Sequence, residues 1–142
     1  MYGIAERRAY RVALDGRFAQ VYNEEAFGYF LQIERKRAAR ALRPVLLLLL
    51  DLREPRVRVD PVVASKLFDC LGRSLRETDV VGWYREDRVA AAVLTQVDGG
   101  APAQGTAVIR ERVGNTLREC LSADIARRLR VRVYQLRPGP KG

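Results

Sequence analysis

From Val45 to Leu50 every residue is apolar, and the run closes on Asp51. A strand with one face in water alternates apolar and polar side chains, so an unbroken run of this length marks a strand covered on both faces at the centre of a sheet. It is also far too short to cross a bilayer, which takes about 20 residues. Pro44 ends the helix before it. That helix is capped by Asn23, carries Glu24 and Glu25 in its first turn, and repeats Phe27, Phe30, Leu31, Ile33 and Ala38 at helical spacing. Further upstream, Tyr10 to Leu14 and Phe18 to Val21 flank the turn signal Asp15-Gly16 and read as a hairpin.

Downstream, Asp60 before Pro61 caps a second helix through Val62, Val63, Leu67, Cys70, Leu71 and Leu75. Strands Val80 to Tyr84 and Val89 to Val97 flank a turn, with one of Trp83 and Tyr84 on each face. A loop follows from Asp98 to Pro102, then a helix through Val108, Ile109, Val113, Leu117, Cys120 and Leu121. In the last strand, Leu129 to Leu136, Arg128, Arg130 and Arg132 alternate with Leu129, Val131 and Val133. After the first helix the order is strand, helix, strand, strand, helix, strand. This predicts an α/β (α+β) fold with a ferredoxin-like βαββαβ core, its central sheet mostly antiparallel and its flanking helices on one face. The expected divisions are an N-terminal extension over 1–22, one domain over 23–137 and a disordered tail over 138–142.

The net charge of +9 is carried by arginine, since only Lys36, Lys66 and Lys141 are lysine. Arginine's planar fork favours bidentate contacts with anions. Histidine is absent, so any proton transfer or metal ligation falls to carboxylates. Cys70 and Cys120 have no second cysteine nearby and fall on apolar helix faces, which reads as two reduced core thiols. With no apolar leader and no membrane-length segment, the expected location is the cytoplasm. The basic stretch Arg35 to Arg43 fits the end of a helix, where the dipole favours positive charge. It lacks interleaved aromatics, so nucleic acid is not the expected partner.

One segment carries chemistry beyond this. Arg76 and Asp79 form an Arg-x-x-Asp just before the strand holding Trp83 and Tyr84, and Arg85-Glu86-Asp87-Arg88-Val89 makes the turn into the next strand. This layout resembles that of GGDEF domains, the diguanylate cyclases, whose nucleotidyl-cyclase, palm-like fold has the same element order. The resemblance spans Asn23 to Tyr134. It implies that Asp51, at the end of the first core strand, and Asp87, in the hairpin, stand where the family holds magnesium. It also implies that Arg76 and Asp79, assisted by Arg110 or Arg112, stand where the family binds cyclic di-GMP. The arginine there donates to the O6 and N7 edge of guanine, and the aspartate accepts from its N1 and N2 protons.

The departures lie in the turn and after the first strand. The family's two glycines, which let phosphates approach the backbone, are Arg85 and Glu86; its acidic fourth residue is Arg88 and its aromatic fifth is Val89. The chain continues Arg53-Glu54-Pro55-Arg56 where the family has a further acid, a Phe-Lys pair and a guanine-reading Asn. The expectation is a catalytically inactive signalling module with no cofactor, in which Arg85 to Val89 is a vestigial hairpin. Asp51 and Asp87 are then surface carboxylates salt-bridged to arginines such as Arg53, Arg85 and Arg88.

Three roles stay open. The module is a cyclic di-GMP receptor through Arg76, Asp79 and Arg110, or a ligand-free scaffold for a homodimer or a signalling or biosynthesis protein. The third is a magnesium-dependent nucleotide-processing enzyme built on Asp51 and Asp87. For the Arg-x-x-Asp itself the plain alternative is structural: Arg76 interacts with a helix C-terminus and Asp79 caps a turn.

Overall fold

The computed structural model describes residues 9–14, 17–53, 58–75, 79–94 and 102–136, with side chains from Val21 in the N-terminal part and from Gly105 in the last segment. Strand β1 (Ala9–Leu14) and strand β2 (Arg17–Tyr22) precede helix α1 (Glu24–Arg40) and strand β3 (Val45–Leu52). Helix α2 (Pro61–Gly72), strands β4 (Val80–Arg85) and β5 (Val89–Leu94), helix α3 (Pro102–Cys120), short helix α4 (Ala123–Arg128) and strand β6 (Leu129–Leu136) follow. The sheet order is β1-β2-β4-β5-β3-β6. The last four strands in this order make the ferredoxin-like arrangement, with β5 antiparallel between β3 and β4. The expected turn at Asp15-Gly16 and the tail over 138–142 lie outside the described residues. Helix α4 was not read from the sequence; its six residues are too few to show a helical period.

All eight residues of β3 are buried, and this sets the layering. Leu46, Leu48 and Leu50 face one side with Val81, Trp83, Ala90 and Ala92, covered by Leu67, Phe68 and Leu71 of α2 and Val113 and Leu117 of α3. Val45, Leu47 and Leu49 face the other side with Ala91 and Val93, under Phe27 and Ala38 of α1. Helices therefore cover both faces, not one as the element order predicted. The reason lies in β3 itself, whose side chains are apolar in both directions and need a cover on each. Trp83 and Tyr84 divide between the two sides as expected. The run Ala90-Ala91-Ala92 leaves room over the sheet for large rings, and Phe68 meets Trp83 edge-on at 5.0 Å.

The caps follow the sequence. Asn23 accepts from the Ala26 amide at 2.9 Å, and Asp60 accepts from Val62 at 3.0 Å with Pro61 beginning α2. Helix α1 ends in a Schellman turn, where Arg43 donates to the Ala38 carbonyl and Leu42 to that of Ala39. Leu42 takes the left-handed position usually held by glycine, with φ 55°.

The two cysteines correct the sequence reading. Cys70 near the end of α2 and Cys120 at the end of α3 form a disulfide across 50 residues of sequence. Two helices packed side by side bring together thiols that spacing along the chain keeps apart. The cysteines therefore no longer argue for a reducing compartment. Among the described residues no helix is long and apolar enough to cross a membrane.

Two outcomes are expected from this packing. Closing a loop of this length contributes about 4 kcal/mol in the chain-entropy view, so reduction should lower the melting temperature by about 10 °C. Thermal unfolding with and without reductant, alongside thiol counting of the unreduced protein, checks it. The second concerns Gly82, where β2 joins β4 through the Tyr22–Gly82 pair. A Cβ there would lie 2.4 Å from the Tyr22 carbonyl oxygen. Gly82→Ala should cost about 2 kcal/mol and speed amide exchange in the β1–β2 hairpin first.

Candidate functional site

The end of β3 and the β4–β5 turn meet because β3 pairs with β5 in a register that sets Asp51 opposite Val89. Asp51 is the buried charged residue of the core, 2 % exposed. A carboxylate so placed has to be compensated, and β6 does this. The β3–β6 register puts Arg130 opposite Asp51 and Arg132 opposite Leu49, on the same side of the sheet. Arg130 donates through Nε at 3.1 Å and through a terminal nitrogen at 3.3 Å, one to each oxygen. Arg132 adds a third bond at 2.8 Å and also donates to the Tyr134 hydroxyl at 3.4 Å. The expectation of a surface carboxylate paired with Arg53, Arg85 or Arg88 is thus corrected: Asp51 is buried, and its partners come from the last strand. The alternation of arginine and apolar residues in β6 held that signal, since a lone acid closing a buried strand needs cations within reach.

The turn is tied down at each residue. Arg85 lies over the Tyr84 ring at 4.5 Å and approaches Glu24 at 3.8 Å. Glu86 and Glu24 exchange bonds: the Glu24 amide donates to the Glu86 carboxylate at 2.8 Å, and the Glu86 amide donates to the Glu24 carboxylate at 2.7 Å. A carboxylate on the first amide of α1 is favoured by the helix dipole. Asp87 has φ 60°, a conformation that Asp tolerates better than most residues. Its side chain binds Arg58 at 2.6 Å and its carbonyl accepts from the Val59 amide at 2.6 Å, fastening the lead-in to α2 onto the turn. Arg88 closes the turn through its amide to the Arg85 carbonyl at 2.9 Å, and Val89 is buried under α1.

Asp51 and Asp87 therefore stand at the ends of neighbouring strands, as the resemblance implies, but neither is presented to a cation. The oxygens of Asp51 are occupied by two guanidinium groups, and Asp87 is held by a third. A divalent ion at either would meet arginine charge at contact distance, so the residues as arranged do not fit magnesium. Among the described residues no group of three or more His, Cys, Asp or Glu gathers as a metal site.

For the second expected site, Asp79 is half-buried at the bend leading into β4, and Arg110 and Arg112 lie on the exposed side of α3. Arg76 lies outside the described residues, and with it the geometry of the Arg76–Asp79 pair. The basic stretch behaves as a helix terminus, with Arg37 and Arg40 in the last turn of α1. The Glu24–Glu86 exchange was not read from the sequence, because its partners are 62 residues apart and nothing local marks them.

No protein-family model and no curated protein sequence matches the chain. Solved structures do. A DGC protein from Thermotoga maritima superposes with a TM-score of 0.57 at 18% identity, over 81% of this chain and 79% of that one. The diguanylate cyclase SiaD from Pseudomonas aeruginosa, solved with its activator SiaC, gives 0.58 at 21% identity over 84% of this chain. The match spans 48% of the SiaD chain, about half its length. A form of YfiN (TpbB) from Pseudomonas aeruginosa comprising only its GGDEF domain gives 0.58 at 12% identity, over 81% and 70% of the two chains. The fold of this chain is that of a GGDEF domain, a nucleotidyl-cyclase, palm-like α/β sheet flanked by helices.

Proposed function

We propose that this chain is a regulatory GGDEF-fold module that condenses no nucleotide. The observation that carries this reading is Asp51, buried and bound by both Arg130 and Arg132. Phosphoryl transfer on such a fold works by positioning metal ions and charge, and here Asp51 spends both its oxygens on arginine and Asp87 one of its two. Glu86 supports the same reading. Its carboxylate occupies the α1 amide, next to the turn where the resemblance puts phosphates.

The experiment is incubation with GTP and magnesium, with chromatography of the products. No linear or cyclic dinucleotide is expected; accumulation of either would return the module to the enzymes. Asp51→Asn separates a structural aspartate from a metal ligand. It leaves two arginines short of their anion and should destabilise the fold by about 1–3 kcal/mol, discounted because both guanidinium groups are half exposed. An unchanged or raised melting temperature would contradict the structural role.

As a regulatory module its ligand is cyclic di-GMP, bound through Arg76 and Asp79 with Arg110 assisting. The residue pattern and the chemistry of a guanine edge support this. Calorimetry should give saturable binding that weakens at least tenfold in Arg76→Ala, which is about 1.4 kcal/mol or more. Absence of heat and of any thermal shift at high ligand would leave the scaffold reading. One observation favours that second reading: SiaD, of the same fold, was solved with a protein bound.

A further inference from the structure

The C-terminal end of α1 carries positive charge around an apolar tip. Arg35, Lys36, Arg37, Arg40 and Arg43 follow closely with no acid among them, and all five are exposed. Arg37 is tied to Glu34 at 3.3 Å. Between Arg40 and Arg43 stands Leu42, 84 % exposed, the most exposed large apolar side chain among the described residues. It holds φ 55°, the left-handed position where a Cβ is disfavoured and glycine is the common occupant. A leucine there is unfavourable twice over, since it strains the backbone and lies in water.

The tip is held rigidly. The carbonyls of Ala38, Ala39 and Arg37 accept from the amides of Arg43, Leu42 and Ala41, and Pro44 restricts Arg43 to extended backbone as the chain enters β3. The helix dipole puts about half a negative charge at this end. Five cations outweigh it. At the same end of the sheet Val45 lies opposite Leu136 and Leu46 opposite Leu94, so the neighbouring strand ends are neutral. Asp79, which leads into β4 there, is half-buried.

An anionic bilayer offers what both features lack, phosphate for the guanidinium groups and a hydrocarbon boundary just beneath for the leucine. A polynucleotide meets only the first, and no aromatic stands among the arginines to stack on its bases. We propose that this chain docks reversibly on anionic membrane surfaces through the end of α1, with Leu42 entering the headgroup region and Arg40 and Arg43 on lipid phosphates. Each cation near such a surface strengthens binding about fivefold, and a buried leucine adds about tenfold. The contact is therefore weak, screened by salt and far from a permanent anchor. Neither the β4–β5 turn nor Arg76 and Asp79 takes part, so the nucleotide assays above succeed or fail separately.

Co-sedimentation of the full chain with vesicles tests it, comparing phosphatidylcholine alone with a mixture in which about one lipid in three is phosphatidylglycerol. Binding is expected on the anionic vesicles only, and high salt should abolish it. Arg40→Gln and Arg43→Gln should each weaken it about fivefold, whereas Arg127→Gln, on α4 and paired with Asp124, should not. Leu42→Gly separates binding from stability. It removes the apolar tip and puts glycine at the left-handed position, so vesicle binding should fall about tenfold while the melting temperature rises by about 3 °C. A chain that ignores anionic vesicles overturns the proposal. So does binding that survives Leu42→Gly unchanged, which would leave a general polyanion patch that a DNA duplex fills equally well. A lowered melting temperature in Leu42→Gly also overturns it, because Leu42 would then be packed against the chain.

Discussion

A strand buried over its whole length that ends in a carboxylate places two demands on the rest of the chain. The apolar residues of β3 point both ways, so each face of the sheet must be covered. Helix α1 meets this on one side, and α2 with α3 on the other. Asp51 then needs positive charge inside the same structure, and the only strand that runs beside β3 opposite β5 is β6. Arg130 and Arg132 therefore fix the register of the sheet's outer strand as well as compensating a charge. A shift of β6 by one residue would turn both guanidinium groups to the other face and leave Asp51 alone.

The same economy of charge shapes the turn between β4 and β5. In a tight turn that must admit phosphates, glycine keeps side chains out of the way. Here Arg85 and Glu86 fill those positions and hold the turn to α1, while Asp87 holds it to the lead-in of α2. The turn is therefore braced from two sides. Bracing of this kind makes a rigid corner and leaves little freedom for a substrate to rearrange it. It joins the first helix to the sheet by polar contacts at one end, beside the apolar cover that Phe27 gives.

What the sequence disclosed followed from periodicity and capping. The βαββαβ order, the two capped helix starts at Asn23 and Asp60, and the buried strand at Val45 to Leu50 are local patterns, each legible within a dozen residues. Cover on both faces is implied by the unbroken apolar run as well, whereas the element order by itself is met by helices on one face. The disulfide and the Glu24–Glu86 exchange join residues 50 and 62 positions apart. No local rule selects such partners, because they depend on which helices lie side by side. For Asp51 the sequence held half of the answer: an acid in an apolar strand must be paired, but only the β3–β6 register shows which of many arginines does it.

The chain's excess of arginine takes on a different meaning once the acids are placed. Asp51, Asp87, Glu24, Glu86 and Asp60 each hold a guanidinium group or a helix amide at a defined distance. Asp124 and Glu34 pair with arginines on their own helices, and Asp69 with Arg73 at the C-cap of α2. Among the described residues, acidic oxygens are mainly structural, used to close turns, start helices and neutralise a buried strand end. Arginine is in surplus, and part of it remains on open surfaces such as the outer sides of α3 and the end of α1. A domain that spends its carboxylates on itself and leaves guanidinium groups outward is arranged to receive anions and acidic surfaces rather than cations. That distribution supports the proposal of a recognition module over one of metal-dependent chemistry.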